Sequence, residues 1–258
     1  MRSSPFECHS HGKIICSLAL TSKYIFFACS MILFSMTKMN AQRPLGSWNI
    51  VNAKLSLNDH WGLWAEGQVR SPKFYDEFNY FETKGGATYS FKDRVSLTAG
   101  IGRYETYGTG GDFVLPKTTT ETRTWLQLIL EQKFDRILFE HRYRVEQRHL
   151  NTGYKNRFRY RLNATIPVNH HDMIPKTLFA YIGDEVFFTD KAPYYERNRF
   201  FTGLGYKINP MFSIISGYML QYNYTINVQS PHDYLQLALF INLNVKDFQK
   251  KSAPTTGD

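Results

Sequence analysis

"FRYRLNATIPV", residues 158–168, splits into two columns when every second residue is taken. One column is Phe158, Tyr160, Leu162, Ala164, Ile166 and Val168; the other is Arg159, Arg161, Asn163, Thr165 and Pro167. A period of two marks a β-strand whose faces meet different surroundings. Here one face is wholly apolar and the other opens with arginines. Such a strand needs an apolar phase on one side and water or counter-charge on the other.

The same period runs through most of the chain. It predicts about eleven strands, near 47–57, 61–71, 79–91, 95–107, 120–134, 137–149, 154–168, 178–189, 194–208, 212–227 and 233–245. In 120–134, Thr122, Thr124, Leu126, Leu128 and Leu130 oppose Arg123, Trp125, Gln127, Glu131 and Lys133. In 233–245, Leu235, Leu237, Leu239, Ile241, Leu243 and Val245 oppose Gln236, Ala238, Phe240, Asn242 and Asn244. Most of these segments exceed the five or six residues usual in soluble strands. They reach the nine to eleven needed to cross a bilayer at a tilt. Mean hydropathy is −0.39, and no window of 18 clean apolar residues occurs, which argues against membrane helices. A membrane barrel tolerates that value because half of each strand can be polar.

Connections alternate between tight turns (58–60, 92–94, 135–136, 209–210) and longer links (72–78, 108–119, 150–153, 190–193, 228–232), with two exceptions: 169–177 is long for its place and 150–153 short for its own. The expected fold is therefore all-β: an antiparallel up-and-down transmembrane β-barrel. Bacterial single-chain barrels have even strand counts. Parity therefore favours twelve strands, with ten as the fallback and 108–119 as the place for a twelfth. Eleven strands with tight turns after the odd ones would put the mature N-terminus outside the cell.

The N-terminus has export character. Lys23 precedes "YIFFACSMILFSM" (24–36), thirteen mostly apolar residues, followed by "TKMNAQ" (37–42). That is a charged region, a short apolar region and a small residue at a cleavage point. The expected organisation is a presequence over 1–41, a barrel over 43–246 and a polar tail over 247–258. The three cysteines (Cys8, Cys16, Cys29) all fall in the presequence, so the mature chain has no disulfide, thiolate metal site or cysteine nucleophile. Net charge is +9. The presequence carries four Lys/Arg and one Glu, which leaves the rest at +6. Export makes nucleic acid an improbable target for that charge.

The arginines decide orientation. Segment 137–149 places Glu140, Arg142, Arg144, Glu146 and Arg148 on one face, and its neighbour places Arg157, Arg159 and Arg161 on one face. Arg197 and Arg199 follow the same pattern. An arginine facing lipid at mid-bilayer costs roughly 2–4 kcal/mol. Eight charges so placed would exceed a folding stability of about 5–15 kcal/mol. These ten residues are therefore expected to form a charge ladder in the lumen, with Glu66, Glu82, Glu131 and Glu185 on the same side. The ladder suits an internal ionic plug, a path for small anionic solutes, or a contact to lipopolysaccharide phosphates. Aromatics near strand ends are candidates for interfacial girdles: Trp48, Trp61, Tyr89, Phe91, Tyr104, Tyr107, Phe134, Tyr154, Phe188, Tyr194, Tyr195, Phe212, Tyr222 and Tyr224.

The stretches "GSWNIVNAKLSLNDHWGLWAEGQVR", "EHRYRVEQR", "NRFRYRLN" and "RNRFFTGLGYKINPMFSIISGYMLQYNY" resemble the outer-membrane barrels grouped as domain of unknown function 2490. The resemblance covers about 43–245. It implies an outer-membrane location and supplies no activity or site residues. Outer-membrane chains usually end on an aromatic of the last strand; here thirteen residues follow Val245, and Phe248 is a candidate displaced signal.

Signals for chemistry are weak. No His-x-Ser motif occurs after the presequence. His170, His171 and Asp172 form one metal-like cluster, but adjacent loop side chains seldom complete a coordination sphere. "GTGGD" (108–112) has no following helix to bind phosphate. No catalytic residue, metal or cofactor is assigned. The expected role is a non-catalytic outer-membrane barrel, structural or passing solutes. Its expected partners are outer-membrane lipid, lipopolysaccharide and the barrel-assembly machinery. Two alternatives are an outer-membrane enzyme acting on lipid A or phospholipid, which needs a Ser/His pair at the rim, and a secreted soluble barrel with the apolar columns turned inward.

Overall fold

Alternating side chains give each strand one apolar and one polar face, and closing the sheet into a barrel keeps the two faces apart and leaves no unpaired backbone edge. The computed structural model describes residues 43–92, 94–226 and 229–246, and the barrel is built from Pro44 onward. Residues 1–42, where the export segment is expected, and 247–258, the expected polar tail, lie outside the described residues. Among the described residues there are eleven strands: β1 (Leu45–Ser56), β2 (Trp61–Ser71), β3 (Tyr80–Lys92), β4 (Val95–Gly108), β5 (Val114–Phe134), β6 (Ile137–Leu150), β7 (Gly153–Pro167), β8 (Thr177–Thr189), β9 (Tyr195–Lys207), β10 (Phe212–Tyr224) and β11 (Gln229–Asn244). Each pairs antiparallel with its sequence neighbour, and the sheet closes into a barrel where β1 meets β11.

The closing seam is parallel, running from Leu45↔Asp233 to Ser56↔Asn244. This follows from the odd count, since the first and last of eleven alternating strands point the same way. No twelfth strand lies in 108–119. That stretch instead lengthens β5, which starts at Val114 and runs 21 residues. Four residues of β5 bulge against β4 between the pairs Thr106↔Thr119 and Gly108↔Val114. Parity puts the start of β1 and the end of β11 at opposite mouths, here termed the Leu45 rim and the Asn244 rim.

The faces have inverted polarity. Leu126 (58% exposed), Leu204 (57%), Val51, Phe158, Leu162 and Ile214 point outward. Arg144, Glu146, Arg148, Arg157, Glu185 and Gln127 are buried within. A soluble ligand-binding barrel requires the reverse. The interior is not uniformly charged, however. Trp48, Phe179, Phe201, Ile215, Met219 and Ala238 form an apolar cluster inside β8–β11 and β1. Large inward rings lie over glycines at the paired position of the neighbouring strand: a Cβ on Gly205 would come within 2.2 Å of the Phe179 ring, and one on Gly100 within 2.4 Å of Trp125. Trp48 and Tyr104 therefore leave the girdle set. Their strand parity turns them inward, and each is 3% exposed. Trp61, Tyr89, Phe91 and Phe134 remain on the outer wall by the Asn244 rim, where Trp61 and Tyr89 meet edge to face at 5.0 Å.

The link 168–176 folds back over the Asn244 rim. Met173 packs against the apolar cluster, and Lys207 Nζ donates to the Met173 carbonyl at 2.6 Å. Its outer side is tied to the β5–β6 turn by His171 Nε2 to Asp135 Oδ1 (2.9 Å) and by Lys133 Nζ to Asp172 Oδ1 (2.6 Å). Asp135, followed by Asp172, raises the His171 pKa above its ordinary 6.5. Bonds from His171 and the neighbouring backbone lower Asp135, and the bond from Lys133 lowers Asp172. A raised histidine contributes fully below 6.5 and is lost as pH climbs through its folded value. The lowered carboxylates contribute above about 3.8 and are lost in stronger acid. The tie is therefore strongest between the ordinary carboxylate and imidazole values, about pH 4 to 6.5, and weakens as pH rises through the raised His171 value. Proteolytic cleavage within 168–176 is expected to rise between pH 6 and pH 8 while the barrel stays intact. An NMR titration placing His171 at or below 6.5 would remove the tie.

Candidate functional site

The ladder arises from register. On β6 and β7, Arg142 lies opposite Arg161, and Arg144 opposite Arg159. Like charges directly across a sheet repel, so carboxylates must reach in from elsewhere. Glu185, on β8, approaches Arg142 (2.5 Å) and Arg159 (2.8 Å). Glu146 takes Arg159 (2.5 Å), Arg144 (3.4 Å) and Arg157 (3.8 Å). Glu140 takes Arg161 at 2.6 Å, and Gln127 on β5 accepts from Arg144 Nε at 2.9 Å. Glu121 on β5 chelates Arg123 and also binds Arg148, whose Nη2 lies 2.8 Å from its Oε2. Arg148 then reaches past two strands to Glu196 on β9 at 3.1 Å. Guanidinium suits these bridges because its planar fork serves several acceptors at once.

Aromatic faces hold the rest. Arg70 lies 3.5 Å over Trp48 and 3.0 Å from Glu82. Arg123 lies 3.6 Å over Tyr104. Phe187, 0% exposed, sits among Arg157, Arg159, Arg197 and Arg199 at 4.6–5.8 Å from its ring centre. Desolvated cation–π contacts of this kind are worth about 2 kcal/mol. Arg199 also stands 4.8 Å over Trp48 on β1, and its Nε donates to Gln221 at 2.8 Å. Arg197 Nε donates to Asn223 at 2.6 Å.

Arg142, Arg144, Glu146, Arg148, Arg157, Arg159, Arg197 and Arg199 thus meet in one lumenal network, and Glu140 and Arg161 form a neighbouring pair on the same inner face. Members absent from the sequence-based ladder are Arg70, Glu121, Glu196, Trp48 and Phe187. Glu121 was legible as the partner two residues before Arg123. Glu196 was not, because a register shift between Phe187 and Phe188 breaks the alternation and brings it to the same side as Arg197.

A family model described as "Protein of unknown function (DUF2490)" matches residues 45–230, from the first residue of β1 into the start of β11. The chain belongs to this family. No curated protein and no solved structure matches it. The family match covers the whole ladder, whose outermost members are Glu140 and Arg199.

His171 faces two carboxylates, His141 the Tyr160 hydroxyl (2.9 Å), and His60 the Ser90 backbone carbonyl (3.0 Å). These contacts include no serine hydroxyl. Among the described residues no group of three His, Asp or Glu side chains is arranged to hold a metal ion.

Glu146 is the most tightly enclosed acid, with three arginines around it and no exposure. Removing one partner of a buried ion pair costs about 3–5 kcal/mol. Glu146→Gln is expected to lower unfolding free energy by that amount in urea titrations of refolded protein. A change below about 1 kcal/mol, the size typical of exposed pairs, would mean the network does not hold the barrel together.

Proposed function

We propose that the protein is an exported outer-membrane barrel that spans the bilayer with its lumen filled, and that it works as a wall-like scaffold rather than an open pore or an enzyme. The observation that carries this is the inverted polarity: bulky apolar side chains line the outside and paired charges fill the inside. Exposed apolar surface on this scale marks a membrane or partner interface. Tilted by about 40°, the run from Tyr195 to Tyr206 on the outer wall gives a height of roughly 25–30 Å, close to the apolar band of known barrels. Residues 1–41 serve as the signal segment, and outer-membrane lipid, lipopolysaccharide and the assembly machinery are the partners.

The lumen is filled because side chains cross it as chords. Arg148 spans from β6 to β9, Arg199 from β9 to β1, and Trp64 on β2 meets Trp125 on β5 at 6.0 Å. Arg157, Phe187 and Glu146 in this layer are fully buried. In planar bilayers the refolded protein is expected to stay at baseline, and Arg159→Ala with Arg161→Ala to admit anion-dependent current. A steady conductance from the unmodified protein would overturn the filled lumen.

Odd strand number adds a second expectation. A protease-cleavable tag ahead of Leu45 and another after Asn244 should lie on opposite sides of a sealed vesicle. Cleavage of both from one side in a uniformly oriented sample would contradict the parallel seam.

A further inference from the structure

Above the filled layer, at the Leu45 rim, lies a cavity of about 240 Å³ whose lining includes Lys155, Thr189, Lys191, Glu196, Arg197 and Asn223. Three cations and one carboxylate share it. The carboxylate is already committed: Glu196 stands 3.1 Å from Arg148, 3.2 Å from Arg157 and 3.7 Å from Lys155. The other two cations rest on neutral groups. Arg197 Nε donates to the Asn223 amide oxygen at 2.6 Å and its guanidinium leans on Phe187. Lys191 Nζ donates to the Tyr154 backbone carbonyl at 2.6 Å. Neither partner cancels charge. Among the described residues, Arg197 and Lys191 form no ion pair within 4.0 Å.

Asn223 sharpens the picture. Its Oδ1 accepts from both Arg197 and Gln221 (3.1 Å), which leaves the amide NH₂ as a donor. The cavity thus gathers donors from four elements: β7 (Lys155), the 190–194 link (Lys191), β9 (Arg197) and β10 (Asn223). Donors converging from several directions on a net positive pocket suit a tetrahedral dianion better than a planar carboxylate. Arginine and lysine together are the usual means of holding one.

We propose that this cavity binds a phosphate group. The same chemistry can come from a free phosphorylated solute or from a phosphate on a lipid headgroup that reaches the rim. The site opens at the mouth of the filled layer and shares Glu196 and Arg197 with its network, but binding there does not depend on that layer being closed to ions.

The test uses full-length protein refolded in zwitterionic detergent and titrated calorimetrically with inorganic phosphate, with acetate as the comparison. Saturable binding of phosphate over acetate is expected. Arg197→Gln should weaken it about tenfold, the loss of one charge-assisted contact. Lys191→Gln, on an exposed link and so not a folding risk, should weaken it severalfold. Lys246→Gln, at the opposite rim, should leave it unchanged. A second arm repeats the phosphate titration in phosphatidylcholine vesicles with and without phosphatidic acid. Competition by that lipid assigns the site to headgroup phosphate; its absence, with phosphate still bound, assigns it to free solute. No saturable phosphate binding, equal binding of acetate, or binding indifferent to both Arg197→Gln and Lys191→Gln would overturn the proposal. Open-pore current from the unmodified protein would remove the filled-lumen reading and leave this titration unaffected.

Discussion

Two rows of arginine face each other on adjacent strands, and the rest of the interior is arranged around that repulsion. Arg142 against Arg161 and Arg144 against Arg159 cannot be paired within the β6–β7 ladder alone. Glu185 arrives from β8, Gln127 and Glu121 from β5, and Glu196 from β9. Glu185, by reaching Arg142 on β6, and Glu196, by reaching Arg148 and Arg157, tie together strands that do not otherwise pair. Desolvating so many ions is costly, and such pairs add little net stability compared with apolar packing. Their effect is geometric: the charged layer is satisfied only when β5 to β9 stand at the correct stagger.

The aromatic rings extend the same logic. Basic side chains outnumber acids inside the barrel, so not every guanidinium can have a carboxylate. Phe187 and Trp48 give the surplus a negative ring face to rest on. This explains why the charged sector of β2–β9 passes gradually into the apolar sector of β8–β1. Trp48 belongs to both: its indole donates to Gln68 at 2.8 Å, and it packs in the apolar cluster.

The fold was largely legible in the two-residue period, because each strand has one apolar face and one polar face. All eleven strands read from that period are present, and Phe158, Leu162 and Val168 face outward as their column implies. What the pattern could not carry was closure. Alternation is local, whereas the parallel β1–β11 seam joins residues nearly 190 positions apart, as in Leu45↔Asp233. Even-count parity is a regularity of many barrels and not a requirement of the hydrogen bonding. The site was legible to the same degree. Residues in unbroken strands, such as Arg144 and Arg159, were found by position; Glu196, beside a register shift, was not. Trp48 and Tyr104 were misplaced because composition near a strand end does not say which way an aromatic points.

Register is where the charge network and the surrounding phase act together. A one-residue slip of β7 against β6 would swap the columns of the opening segment. Arg157, Arg159 and Arg161 would turn outward while Phe158, Tyr160 and Leu162 turned in. In a bilayer each misplaced arginine costs roughly 2–4 kcal/mol near the midplane. The abandoned Glu146 and Glu185 would add the penalty of buried, uncompensated acids. The slip is opposed from both sides of the wall at once. An apolar-filled barrel of the same size would have only the outer penalty, and a soluble barrel with surface arginines would have almost none. In a bilayer, the ladder would make the correct stagger the only one that suits both faces of the wall.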